Sequence, residues 1–340
     1  LLGLSRDIGV DLGTATVLVY IKGKGIVLHE PSVVALESKT NRVLAVGQEA
    51  SLMIGRTPGN IRAVRPLKEG VIADFEVTEL MLKYFLAKVC RNILAKPRVM
   101  VCVPAGITSV EQRAVLTAVK RSGAREVFLI EEPRAAALGA GLEIFQPVGS
   151  MVIDIGGGTC DMAIMSLGDI VQGASTRIGG DRFDEYIVRY VRDKYNIMIG
   201  ERTAEEIKVK VASVHPEGQR KEKMEVRGRD LVTGLPKSQP ITSKEAGEAL
   251  ADPVNSIVRT ITQVMETTPP ELHSDIMEKG IILSGGGALL HGLDVFLSHR
   301  LGTPVIIAEN PISCVVNGTG RALELLDYIK ETLVNDKMIS

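Results

Sequence analysis

Two aspartates in this chain end apolar runs and stand immediately before glycine-containing turns. The clearer case is Met151-Val152-Ile153-Asp154-Ile155-Gly156-Gly157-Gly158-Thr159-Cys160-Asp161, continuing into Met162-Ala163-Ile164-Met165. Apolar residues lead in, glycines turn the chain, and alternating apolar residues lead out, as in a β-hairpin with an aspartate ending its first strand. Consecutive glycines leave backbone N–H groups unobstructed and able to converge on an anion such as phosphate. Asp154 would repel that anion directly. It fits beside it if a divalent cation, through its hydration shell, lies between them.

The second aspartate has the same setting, in Ile8-Gly9-Val10-Asp11-Leu12-Gly13-Thr14-Ala15-Thr16-Val17-Leu18-Val19-Tyr20. Two such hairpins in the two halves of one chain suggest an internal duplication facing across a phosphate chain. A third glycine stretch, Ile281-Ile282-Leu283-Ser284-Gly285-Gly286-Gly287-Ala288-Leu289-Leu290, reads as a buried strand whose glycines open onto a helix. N–H groups and close backbone approach there suit a nucleotide's base, ribose or first phosphate. None of the three is a Walker A loop, and none fits Gly-x-Gly-x-x-Gly.

The elements between these stretches alternate strand and helix. Val77, Leu80, Met81, Tyr84, Phe85 and Val89 repeat at helical spacing, and Val99 to Val103 is a buried strand. Ser109-Val110-Glu111-Gln112 has the form of a capping box, and Val127 to Ile130 is the next strand. Glu131-Glu132-Pro133 then starts a helix, which puts both glutamates beyond a strand's carboxyl end, where α/β sheets bind ligands. Helices are expected from Asp184 to Tyr195, from Glu205, and around Val254 to Val264, with Gly318-Thr319-Gly320 opening the last one.

The chain has 340 residues and a net charge of −1, enough for two domains and without the basic excess of a nucleic-acid binder. Cys90, Cys102, Cys160 and Cys314 show no zinc or redox spacing and read as reduced thiols in a cytosolic protein. The five histidines form no metal motif. No apolar run reaches the length of a membrane span, and no signal peptide is visible.

Paired Asp-Leu-Gly-Thr and Asp-Ile-Gly-Gly-Gly-Thr hairpins, with Glu-Glu-Pro between them and Ser-Gly-Gly-Gly-Ala after, resemble the actin, sugar kinase and heat-shock chaperone ATPase superfamily. Within it the chain is similar almost end to end to the bacterial actins of the MreB/Mbl family. The matching stretches are Arg6 to Val17, Gly23 to Ala35, Arg65 to Asp74, Ile199 to Ala204 and Thr268 to Leu272. Thr16 stands where that family usually has Asn, and Cys160 where a second Thr is common.

The resemblance implies an actin-like duplicated α/β fold: two core domains, each with a smaller inserted subdomain, and the nucleotide in the central cleft. The expected boundaries are 1–32, 75–145 and 312–340 for the first core subdomain, with 33–74 inserted. The second core subdomain is expected at 146–182 and 245–311, with 183–244 inserted. By that match Thr14, Ala15 and Thr16 hold ATP phosphates from one side, and Gly156, Gly157, Gly158 and Thr159 from the other. Asp11 and Asp154 hold Mg2+ through water. Glu205, Glu206, Ile207 and Lys208 lie near ribose and base, and Gly285, Gly286, Gly287 and Ala288 near the base and first phosphate. Glu132, with Glu131 as the alternative, orients the attacking water.

The same resemblance implies ATP-driven self-polymerisation into double filaments on the inner face of the plasma membrane, guiding cell-wall elongation proteins and rod shape. Ile93 and Leu94, followed by Lys96 and Arg98, fall where that family dips a loop into the bilayer. The alternative from the same superfamily is a small-molecule kinase. It needs a substrate pocket for which no motif is present.

Overall fold

The structure, a computed structural model, describes residues 7–90, 96–215, 220 and 222–336. Two mixed sheets carry the core. The first has six strands in the order Val334–Asn335, Glu126–Glu131, Arg98–Val103, Asp7–Leu12, Thr16–Ile21, Gly25–Pro31. The second has five, in the order Asp169–Thr176, Cys160–Ser166, Ser150–Ile155, Ile281–Ser284, Val305–Ile307.

The sheets repeat one plan. In the first, Asp7–Leu12 pairs antiparallel with Thr16–Ile21 and parallel with Arg98–Val103. In the second, Ser150–Ile155 pairs antiparallel with Cys160–Ser166 and parallel with Ile281–Ser284. Each hairpin thus occupies the middle of its sheet. Residues there are covered on both faces, which is why the strand leading into the second turn reads as an apolar run up to its aspartate. Met151, Val152, Ile153 and Ile155 are all buried.

Smaller sheets sit on each half. Val43–Val46, Val34–Glu37 and Ile61–Val64 form one, next to the short hairpin Leu67–Lys68 and Val71–Ile72. Ile197–Met198, Lys223–Asp230 and Pro236–Thr242 form the other.

Two helices lie at the junction of the halves. Glu132–Ala140 crosses Cys314–Glu324 so closely that a Cβ on Gly318 would fall 1.7 Å from Ala135 O, and one on Gly139 1.8 Å from Cys314 O. Their apolar faces join Met100, Cys102, Phe128 and Ile130 of the first sheet and Val152 and Met165 of the second in one buried cluster.

Several helix starts differ from those expected. Gly318-Thr319-Gly320 does not open the last helix: it lies inside Cys314–Glu324, where its glycines serve helix contact. The helix expected from Asp184 begins at Gly180, and the one expected from Glu205 begins at Glu201. The capping box is Thr108 with Glu111, one residue before Ser109. Strand Ile281–Ser284 leads into a single 3-10 turn, Gly286–Leu289, rather than directly into an α-helix.

Candidate functional site

The two aspartate hairpins meet. A Cβ on Gly157 would lie 2.7 Å from the Ala15 Cβ, and one on Gly158 2.3 Å from Thr14 Oγ1. Neither glycine has positive φ. These glycines are therefore required by close approach across the cleft, not by the turn's own geometry. The Gly156 N–H donates to Thr159 O at 2.9 Å, so the first glycine of the run spends its N–H closing the hairpin instead of facing the cleft.

Each turn is braced from behind. Ser32 Oγ donates to Gly13 O at 2.6 Å, and the Ser32 N–H to Ala15 O at 2.9 Å. On the other side, the helix Gly180–Tyr195 gives its first N–H groups to the second hairpin: Gly180 to Gly156 O and Asp181 to Gly157 O. Lys208 Nζ donates to Gly180 O at 3.0 Å and to Asp184 Oδ2 at 2.8 Å, tying its own helix to that junction. Burial nevertheless pushes the Asp184 carboxyl up to about 7.

Around the hairpins stand four carboxyls: Asp11, Glu132, Asp154 and Asp161. Asp154, on the cleft side of its strand, accepts a hydrogen bond from Ser284 Oγ. Burial raises it to about 7, with the Asp161 charge adding to the rise. Asp11, partly open to the cleft, is also pushed to about 7 by desolvation and by Asp154. Glu132 is raised well above the carboxylate range, first by burial and then by Asp161, Asp154 and Asp11. Asp161 has no exposed surface, and burial raises it against the opposing effect of the Ala105 N–H, which donates to Oδ1 at 2.8 Å.

No lysine or arginine is among the groups acting most strongly on these four. A buried set of acids without a basic partner is costly unless a cation or protons neutralise it. That donor set fits a hard divalent cation. Among the described residues no three His, Cys, Asp or Glu side chains are grouped to ligate one ion directly.

The two candidate glutamates separate. Glu131 is partly exposed and lies 3.4 Å from the Arg134 guanidinium. Glu132 is buried among the acids. The third glycine stretch reaches the same region: a Cβ on Gly285 would lie 2.3 Å from Ile155 O, and one on Gly287 2.3 Å from Ile155 Cγ2. In the helix Glu201–Lys210, Ile207 points into the core, Glu205 is exposed, and Glu206 pairs with Arg202 and Lys210. Ile93 and Leu94 lie outside the described residues. Cavities of about 550 and 470 Å³ flank the Gly180–Tyr195 and Ser243–Glu266 helices, and neither is lined by the four acids.

A model of the MreB/Mbl protein family matches residues 5–331. The chain belongs to the MreB/Mbl family. It is 58% identical over 326 residues to the cell shape-determining protein Mbl of Bacillus cereus, covering 96% of this chain and 98% of that one. Among solved structures it superposes on MreB 5 of Spiroplasma citri bound to AMPPNP with a TM-score of 0.91. The identity is 39%, over 97% of this chain and 99% of that one. The MamK double helical filament subunit, at 20% identity and a TM-score of 0.81, covers 94% of this chain and 99% of its own and shares the fold. The fold is the duplicated, actin-like one, in a family of cell-shape cytoskeletal proteins.

Three contributors to the site carry no assignment from the sequence. Asp161 reads there as one more polar residue of an outgoing strand. The Gly179-Gly180 pair was a usable signal, because a Cβ on Gly179 would lie 2.5 Å from Gly157 O. The turn Glu69-Gly70, with φ of 49° and 77°, inserts against both hairpins. The Gly70 N–H donates to Thr14 Oγ1 at 3.0 Å, while Glu69 pairs with Arg177 of the other half.

Proposed function

We propose that this chain is an ATPase whose nucleotide cycle drives assembly into actin-like filaments that direct cell-wall growth and rod shape. One observation carries the reading: two aspartate hairpins, one from each half, converge beside a buried acid cluster that contains Glu132. Thr14, Ala15, Thr16 and the 156–159 turn are suited to embrace the phosphates, so that binding draws the halves together. Bound Mg2+, held through water by Asp11 and Asp154, would neutralise phosphate charge. Glu132, shielded from bulk solvent, orients the water for in-line attack on the γ-phosphorus. Family membership speaks against the small-molecule kinase reading.

Self-assembly follows the head-to-tail logic by which a heterologous contact that does not close yields an open filament. Membrane attachment at the inner face of the plasma membrane is assigned to Ile93 and Leu94. Of the two cations expected to attract anionic lipid, Arg98 is taken up by Asp7 in a bidentate pair at 2.7 and 2.8 Å, which leaves Lys96, worth about 1 kcal/mol near the surface.

The deciding experiment measures ATP affinity and phosphate release for Glu132→Ala and Glu131→Ala. Loss of water positioning should slow Glu132→Ala at least about tenfold, roughly 1.4 kcal/mol of barrier, at parental ATP affinity. A slow Glu131→Ala beside a normal Glu132→Ala would reverse the assignment.

A further inference from the structure

The helix Glu132–Ala140 carries a cation where a helix least favours one. Arg134 stands in its first turn, with its side chain only 5% exposed. Aligned peptide dipoles make a helix N-terminus positive, so a cation there is repelled. Taking its charge out of water adds a second cost, which an apolar side chain of similar length would not incur. The acid cluster does not offset either, because Arg134 comes two residues after Glu132 and faces the other side of the helix.

The guanidinium reaches three separate parts of the chain. Nε lies 3.4 Å from Oε2 of Glu131, which ends a strand of the first sheet. Nη1 donates to Thr332 Oγ1 at 3.3 Å, and that hydroxyl gives its own hydrogen to Ile329 O. Nη2 donates to Asp169 Oδ1 at 2.5 Å. Asp169 opens the strand Asp169–Thr176 at the edge of the second sheet, and the Ile170 N–H donates to the same Oδ1 at 2.9 Å. Glu131 and Thr332 belong to the first half and Asp169 to the second. One planar group with its donors in a fixed fork therefore ties two parts of one half to the edge of the other.

Glu69 and Arg177 also pair between the halves, but both side chains are more than half exposed, and such a pair contributes little. At Arg134 the charge is buried, so losing Asp169 leaves it poorly compensated. The same helix packs Ala135, Ala136 and Ala137 into the buried cluster shared by both sheets, where the halves would pivot. Rotation of one half against the other at this point pulls Asp169 from the guanidinium.

We propose that Arg134 and Asp169 form a clamp that restrains the halves from turning apart, and so slows the escape of a ligand held between them. Exit from a site built by two halves needs those halves to part. The clamp makes that opening slower than it would be with an apolar residue at position 134. The ATPase reading enters only in naming the ligand as a nucleotide.

The test uses the full chain, with Arg134→Met, Asp169→Ala and the double variant beside the parent. Without nucleotide, pulsed electron resonance records the distance between spin labels at Lys39 and Val232, exposed turn positions on the smaller sheets of the two halves. Cys90, the partly exposed native thiol, is changed to serine so that it takes no label. Each single variant should spread the distribution to longer separations. Release of a fluorescent ATP analogue should quicken about three- to tenfold in each single variant, and no more than about twofold further in the double, because both changes break one interaction. Arg134→Met should melt at or above the parental temperature, since an apolar side chain in place of a buried ion is neutral or stabilising.

A parental distance distribution or a parental release rate in Arg134→Met would overturn the proposal. So would multiplicative effects in the double variant, or faster release that comes with a lower melting temperature. A parent that binds no nucleotide, yet opens when the clamp is removed, would uphold the clamp and sink the ATPase reading instead.

Discussion

Gly158→Ala adds one methyl group where the two halves touch, and the structure gives its surroundings. The new Cβ would stand 2.3 Å from Thr14 Oγ1, 2.9 Å from Thr14 Cβ and 3.0 Å from Glu69 Cα. Gly158 itself has no positive φ, so alanine brings no backbone strain of its own. Thr14 cannot simply rotate away, because its Oγ1 holds the Gly70 N–H at 3.0 Å. Breaking that bond costs about 1 kcal/mol. Overpacking a tight contact costs about 1–3 kcal/mol. The alternative is for the halves to part, which removes the clash altogether. The penalty then falls on the closed form, and nucleotide affinity should weaken about 5- to 150-fold, the range equivalent to 1–3 kcal/mol of coupling. Fluorescent-nucleotide titration measures this, with apo melting temperature as the second readout. Gly59→Ala, with nothing near its Cβ, serves as a control that should match the parent. The reasoning fails if Gly158→Ala binds nucleotide like the parent. It also fails if apo Gly158→Ala melts as low as Gly318→Ala, whose clash with Ala135 O inside the fold cannot be relieved by opening.

Asp154→Ala should weaken Mg-nucleotide binding and blunt its Mg2+ dependence; an unchanged titration would make this aspartate purely structural. Acidity should also register on the apo protein. Asp11 and Asp154 titrate near 7 when folded, against 3.8 for the ordinary group, so the native state keeps protons that the unfolded state has released. Stability from these groups therefore falls as pH rises from about 4 to about 7 and then levels off. Melting curves across that window should show a shallower slope for Asp154→Asn; an equal slope would refute the linkage. Changing Ile93 and Leu94 together to serine should abolish liposome co-sedimentation while ATPase activity persists. A double variant that still binds lipid, or one that loses thermal stability, removes the loop as anchor.

The parts legible in the sequence share a physical cause. Strands covered on both faces need long apolar runs, and acids that end such runs stand out, so both hairpins and their aspartates could be read directly. The Glu131-Glu132 pair was only half legible. Which one enters the acid cluster depends on Arg134, one helical turn on, pairing with Glu131. Asp161 was hidden because strand alternation gives the same letter pattern to a solvated residue and to one turned into a cleft. Gly318 and Gly320 read as a helix start because glycine commonly marks boundaries. Here both sit mid-helix, under Ala135 O and the Tyr20 ring. The helix start at Gly180 was missed for a related reason: backbone carbonyls of the second hairpin receive its first N–H groups, and a carbonyl leaves no trace in side-chain type.

The strand order has a consequence for how the chain comes off the ribosome. The second sheet draws all its strands from residues 150–307, so it is complete once that stretch has been made. The first sheet begins with Asp7 but takes its edge strand from Val334–Asn335. Its hairpin is covered by the Cys314–Glu324 helix, where Thr319 meets Gly9 and Gly320 meets Tyr20. The half that is synthesised first therefore lacks its lid until residues 314–335 have emerged. The later half can close ahead of it, reversing the usual N-terminal-first order of domain folding. Until then the sheet face that carries Gly9, Leu18 and Tyr20 lacks the cover of that helix, and apolar surface left open in a nascent domain is prone to aggregate.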